Sequence, residues 1–232
     1  MGCRILRLTQ YSCISRMRIK SFIFSPFQVN TYLLSDEYSK ESILVDCACG
    51  SEHEQQVLRE YLESEHLIIK YAFNTHLHFD HILGNSWLFA KYGIMPYAHK
   101  CDEYCLEWNL SIASFLPLST RERDFLRFNN YTWFNDDLTF TIGDSSFSVL
   151  HNPGHTPGSC SLYCLKKNVL VDGDLLFYHG VGRTDLEMGN EQTIKSSLQS
   201  LLLLGEDTLV LPGHGPTTSI KAEKEFIQKI IS

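Results

Sequence analysis

No stretch of this chain holds the ~18 consecutive apolar residues that a membrane-crossing helix requires, so the sequence offers no such span. Paired C-x-x-C motifs are also missing. The cysteines stand at Cys3, Cys13, Cys47, Cys49, Cys101, Cys105, Cys160 and Cys164, spaced as C-x-C and C-x-x-x-C, which is not the pattern of a zinc ribbon. Met1 to Arg16 alternates apolar residues with Arg4, Arg7 and Gln10 and lacks the continuous apolar core of a secretory signal. With no such signal, the thiols read as reduced and mostly buried, in a cytoplasmic protein. Positive charge is scarce: the net charge is −7, and beyond the first twenty positions 15 basic residues face 27 acidic ones, which argues against nucleic acid as a partner.

Acidic residues are absent until Asp36, whereas five basic residues lie within the first twenty positions. Residues 1–16 read as an N-terminal extension ahead of the fold, because Met17 opens a good strand. Their Arg- and Ser-bearing, acid-free composition also admits an organelle-targeting peptide. The 17–232 remainder is long enough for one large domain or two small ones, and 44% hydrophobic content is ample for a core.

Strands are expected at Met17 to Phe24, Gln28 to Leu34 and Ser42 to Asp46, then a helix from Glu52 to Ser64 with Val57, Leu58, Tyr61 and Leu62 at helical spacing. Leu67 to Phe73, β-branched and aromatic, completes a β-α-β unit. A helix through Trp87 to Tyr92 stops at Gly93, and a strand follows over Ile94 to His99. Residues 101–137 are the least regular, with helices about Trp108 and over Arg121 to Phe128 and an aromatic edge at Tyr131, Trp133 and Phe134. They read equally as a lid or as core packing. Strands return at Leu138 to Ile142, Ser146 to Leu150, Ser161 to Leu165, Val169 to Val171 and Thr208 to Leu211. Helices are expected over Glu191 to Leu204 and Ser219 to Ile231, and Gly180 to Asp185 reads as a loop.

The chemistry concentrates in Asn74-Thr75-His76-Leu77-His78-Phe79-Asp80-His81. His76 and His78 leave the strand on one side, because strand side chains alternate, whereas the adjacent Asp80 and His81 must diverge. One ion cannot easily collect four ligands from so short a piece. Two ions a few Å apart can, one on the histidine pair and one on the Asp-His pair. Asp46, His155, Asp174 and His214 likewise follow short apolar strands and precede glycine, proline or a helix, as residues do when a site is built along one edge of a sheet.

THLHFDH (75–81), NPGHTPGS (152–159), DGDLLF (172–177), GVGRTDL (180–186) and LPGHG (211–215) occur in that order. Together they make the chain resemble the metallo-β-lactamase fold superfamily, and within it the short, single-domain members of the glyoxalase II-like, or hydroxyacylglutathione hydrolase-like, branch. The resemblance implies an α/β fold, a four-layer αββα sandwich. It implies two divalent metal ions: one on His76, His78 and His155, the other on Asp80, His81 and His214, with Asp174 bridging. Asp46 would receive a ligand's ring N–H and fix its orientation. The nitrogen and oxygen donors suit zinc, and iron or manganese also accept them.

The implied reaction is hydrolysis of a small-molecule thioester or ester by a hydroxide shared between the metals, Asp80 and Asp174 being the catalytic carboxylates. Arg183 is the candidate for a substrate carboxylate, with a salt bridge to Asp185 as its other reading. Only 18 residues follow His214, too few for the C-terminal helical domain of full glyoxalase II enzymes, so the carrier thiol stays open. His151 reads as a strand-end histidine, not a ligand. His179 reads as either a substrate contact or a surface residue, and Asp172 as structural. Three alternatives remain: a persulfide dioxygenase-like enzyme with one iron on His76, His155 and Asp174, a nuclease, and a non-catalytic metal-stabilised binding module. The oligomeric state is left open.

Overall fold

Alternation of apolar side chains builds two sheets that face each other. In the computed structural model, which describes residues 17–135 and 137–232, strands β1 (Met17–Phe24), β2 (Val29–Asp36), β3 (Glu41–Val45), β4 (Ile68–Phe73), β5 (Tyr97–His99) and β6 (Thr132–Phe134) form the first sheet in that order. The second runs β14 (Thr218–Ser219), β13 (Leu209–Pro212), β10 (Val169–Gly173), β9 (Cys160–Cys164), β8 (Ser145–His151), β7 (Thr139–Ile142). The expected extension over residues 1–16 lies outside the described residues, together with Cys3 and Cys13. The six described cysteines are free thiols, and Cys101 alone among them is exposed.

Tyr32, Leu34, Ile43, Val45 and Phe73 of the first sheet pack between the sheets on Phe140, Phe147, Leu162, Val171 and Leu211 of the second. The intervening residues turn outward. Leu33 and Leu44 meet Leu58 and Leu62 of α1 (Glu52–Ser64) and Leu88 of α2 (Asn85–Tyr92). Leu170 and Val210 meet Ile194 and Leu198 of α5 (Glu191–Leu201) and Ile227 of α6 (Ile220–Ile231). The result is the expected four layers, helices outside and two sheets within. Each such buried aliphatic side chain contributes roughly 1.5–3 kcal/mol.

Helix ends follow local chemistry. Ser51 and Glu54 form a reciprocal capping box on α1, and Gly93 ends α2 in the left-handed conformation at φ 70°. Among the described residues no helix is long and apolar enough to cross a membrane. Some boundaries differ from the sequence expectation. The strand expected from Ile94 begins only at Tyr97, because Pro96 has no N–H to donate and presents its carbonyl to Thr132 N at 2.9 Å. Within the expected loop, Gly180 and Val181 form β12 (Gly180–Val181), paired antiparallel with β11 (Leu176–Phe177). The aromatic edge is β6, parallel to β5.

Two pairings position the site. β3 and β4 run parallel in one sheet, and β10 and β13 run parallel in the other. Asp46, the 74–81 segment, Asp174 and His214 therefore follow the C-terminal ends of these strands, where loops are free to converge.

Candidate metal centre

His76, His78 and His155 bring one nitrogen each within 4.8 Å of one another, and Asp80, His81 and His214 do the same with one ligand atom each. Asp174 stands between these groups. Its Oδ1 lies 3.4 Å from His81 Nε2, and its Oδ2 lies 3.5 Å from His155 Nε2 and 3.6 Å from His214 Nε2. Donors about 2.0–2.2 Å from one tetrahedral ion stand about 3.3–3.6 Å apart, so these spacings fit shared coordination.

The rings are aimed by their outer nitrogens. His81 donates Nδ1–H to Asp46 Oδ2 at 2.9 Å, and His155 donates Nδ1–H to the Arg183 carbonyl at 2.7 Å, so both rings present Nε2 to the centre. Asp46 also accepts from Thr75 N at 2.8 Å and Thr75 Oγ1 at 2.7 Å, which pins the start of the histidine segment to the end of β3. Thr75 Oγ1 lies 3.1 Å from His76 Nδ1, leaving that ring's Nε2 free as well. His78 instead turns Nδ1 to 2.9 Å from His155 Nε2.

Buried polar atoms without partners are costly and rare. Here Nε2 of His76 and Oδ1 of Asp174 are buried without a hydrogen bond. Burial, followed by the neighbouring histidines, holds His76 well below the usual imidazole range, and burial with His155 pushes His78 down to about 3. Both are therefore neutral, the form that ligates. Burial opposes the charge on His81, but Asp174, Asp80 and Asp46 outweigh it and raise that ring well above the usual range. Asp174 is held below the usual carboxylate range because His81, His155 and His214 overcome its burial. Orphaned donors, neutral buried imidazoles and low carboxylates together suit a divalent cation pair.

Gly213 is required by close approach. A Cβ there would overlap Asp174 Oδ1 and lie 2.8 Å from His81 Cε1. Gly213→Ala is expected to cost about 1–3 kcal/mol through forced displacement, read as a lower thermal midpoint, and to reduce the metal content of purified protein. The loop is seated by β2: Asn30 Nδ2 donates to the carbonyls of Pro212 at 2.9 Å and Gly215 at 2.8 Å, and Tyr32 Oη–H donates to Pro212 at 2.9 Å.

A cavity of about 290 Å³ opens over these residues, with Phe79, Trp108, Phe177 and Leu186 as its apolar wall and Arg183 at its edge. The Trp108 ring sits 5.2 Å from the His78 ring. The segment 101–137 supplies core packing and one wall of the cavity. Trp108 of α3 (Tyr104–Ile112) walls the cavity, while Cys105, Leu126 and Tyr131 join a core cluster with Leu77, Ile82 and Leu83. Arg183 is exposed and forks onto Asp185, with Nε and Nη2 each 2.9 Å from a carboxylate oxygen. His151 donates Nε2–H to the Pro157 carbonyl at 2.8 Å and stacks on His99, away from both ligand groups. His179 is largely exposed, its Nδ1 3.3 Å from the buried Glu223. Asp172 is buried and accepts from Leu176 N at 3.1 Å.

Asp102 had no reading in the sequence. It is buried and reaches both histidine-bearing segments, its Oδ2 3.1 Å from Leu77 N and its Oδ1 2.6 Å from Gly158 N. The available signal was its place just after β5, parallel to β4, at the same sheet edge as Asp46.

A family model, "Metallo-beta-lactamase superfamily", matches residues 24–214. Among curated proteins the chain is 32% identical to "Probable metallo-hydrolase YqgX" of Bacillus subtilis, covering 90% of this chain and 95% of that one. It is also 32% identical to "Hydroxyacylglutathione hydrolase GloC" of Haemophilus influenzae, with the same coverage. Mouse "Persulfide dioxygenase ETHE1, mitochondrial" is 28% identical over 95% of this chain and 79% of that one. Among solved structures, the BLEG-1 B3 metallo-beta-lactamase superposes with a TM-score of 0.79 at 31% identity, covering 93% of this chain and all of that one. A di-iron-bound form of TTHA1623 gives 0.73 at 30%, covering 89% and 98%.

Proposed function

The chain belongs to the metallo-beta-lactamase superfamily, and we propose that it is a binuclear metal-dependent hydrolase of a small-molecule thioester or related ester, of the hydroxyacylglutathione hydrolase type, working in the cytoplasm. The observation that carries this reading is the pair of ligand groups with Asp174 between them. His76, His78 and His155 would hold one ion, Asp80, His81 and His214 the other, and Asp174 both. When bound, the two cations supply Lewis acidity and a water acidic enough to ionise near neutral pH, zinc being the first choice for these donors.

The remaining work falls to the chain's own groups. Asp80 has a second carboxylate oxygen with which to orient the attacking water while it ligates. The Asp46 carboxylate and the Arg183 backbone carbonyl keep the His81 and His155 imidazoles in the ligating tautomer. Phe79, Trp108, Phe177 and Leu186 shed water from the reacting carbonyl and offer an apolar wall to the acyl or thiol portion. Arg183 spends two of its five N–H donors on Asp185, which leaves others to grip a substrate carboxylate. A thiolate departs without a strong acid, its ordinary pKa being only ~8.5, which favours thioesters over amides.

The test combines elemental analysis of protein purified without chelator with a panel of thioesters, esters and β-lactams. The expected result is two ions per chain and thioester cleavage that stops on chelation and returns with zinc. Fully metallated protein that cleaves no thioester or ester, or cleaves β-lactams alone, overturns the proposal. The likeness to the mouse persulfide dioxygenase supports a second reading, with one iron on His76, His155 and Asp174. A single iron that survives loss of Asp80, His81 and His214 would select it. Activity lost on chelation with the fold intact argues against a metal-stabilised module.

A further inference from the structure

The three histidines of the first ligand group come from two segments, and their separation is set by what joins those segments. One link is a backbone hydrogen bond from Cys160 N to Thr75 O at 2.8 Å. The other is Asp102. Its carboxylate accepts from Leu77 N, between His76 and His78, and through the same oxygen from Thr156 Oγ1 at 2.9 Å, next to His155. Its other oxygen accepts from Gly158 N at 2.6 Å. The Leu77 peptide is held on its opposite side by Asn109 Nδ2, which donates to its carbonyl at 2.8 Å.

Asp102 is fully buried, and no salt bridge from a described Lys, Arg or His reaches it. Burial pushes its carboxyl up to about 6, partly offset by Thr156, Gly158 and Leu77, so it is ionised and acceptor-only at neutral pH. A buried charge neutralised solely by dipoles on two loops orders those loops strongly. Gly158 is shaped to the contact, since a Cβ there would lie 2.6 Å from Asp102 Cγ and 2.8 Å from Asp102 N. The second group takes its order elsewhere: His81 from Asp46, and the His214 loop from Asn30 and Tyr32.

We propose that Asp102 is a positioning residue for the first metal position alone, setting the spacing of His155 against His76 and His78. This rests on the two-metal reading of the site. Without the carboxylate, the histidine pair and His155 are joined by one backbone bond and lose the register in which their nitrogens converge. Among the described residues no hydrogen bond joins Asp80, His81 or His214 to Leu77, Thr156 or Gly158, so the second position is expected to keep its affinity.

The experiment is a zinc titration of the chelated full-length chain against a competing chromophoric chelator. His155→Ala and His214→Ala identify which binding step belongs to which position. Asp102→Asn keeps the size but loses the charge and turns a donor toward a donor. It is expected to weaken the step that His155→Ala removes by about tenfold or more, as loss of a partner behind a metal ligand does, and to leave the other step within about twofold. Thr156→Val, which removes one of the three bonds, is expected to weaken the same step less, and it decides the matter if Asp102→Asn does not fold. Equal weakening of both steps with a falling thermal midpoint marks a general folding role and overturns the proposal, as does no weakening. The unaltered chain tests the underlying reading separately. If it binds one ion, the two-metal reading fails, and the inference stands or falls on whether the His155-dependent site weakens in Asp102→Asn. If it binds none, both fail.

Discussion

Asparagine in place of Asp174 is expected to reduce hydrolysis by roughly 10³-fold, because a metal-supported transition state loses several kcal/mol of stabilisation and each ~1.4 kcal/mol is tenfold. The side chain keeps its size, so the change is one of charge. Asp174 is the carboxylate that reaches both groups, 3.4 Å from His81 and 3.5 Å from His155. A neutral amide ligates a divalent cation weakly and removes the negative charge that stands between His81, His155 and His214. Elemental analysis of the variant is expected to find one ion or fewer per chain with unchanged circular dichroism. Two ions and unimpaired turnover would remove Asp174 from its place between the groups.

Asp46→Ala is expected to be the most destabilising single change at the centre, by about 3–5 kcal/mol. Three buried donors lose their acceptor at once: His81 Nδ1–H, Thr75 N–H and Thr75 Oγ1–H. Each orphaned donor costs roughly 1–3 kcal/mol. Asp46 also sits at φ 51°, in the left-handed region that Asp and Asn tolerate better than Ala. Thermal unfolding of chelated protein, which separates this from metal loss, is expected to show a midpoint lower by roughly 6–20 °C, at ~2–4 °C per kcal/mol for a chain of this size. Asp46→Asn, which keeps one acceptor and suits the same backbone, is expected to lose less than half as much. Equal losses would mean that the backbone conformation is not a factor and that the charge alone matters.

Both residues were visible in the sequence for the same reason: each closes a short apolar strand, Asp46 after Leu44 and Val45, Asp174 after Val171. His155 and His214 announced themselves through flanking glycine and proline, the residues of tight turns. Asp102 and Trp108 did not. Asp102 stands between Cys101 and Glu103 in an irregular stretch, where a buried carboxylate is locally indistinguishable from an exposed one. Trp108 lies on a helix, and no local pattern says whether an aromatic on such a helix faces core or cavity. The Gly180 loop concealed a hairpin because two-residue strands have no periodicity to detect.

The sequence by itself determined the ligand types, the order of the strands that carry them and the alternation that turns Leu34 inward and Leu33 outward. Those are properties of neighbouring residues, set by backbone geometry and side-chain chemistry. The tertiary structure decided which atoms meet. His78 and His155 approach to 2.9 Å across 77 positions of sequence, and Asp46 and His81 to the same distance across 35. Such separations depend on how two sheets and the loops at their edges pack, and packing is a property of the whole core.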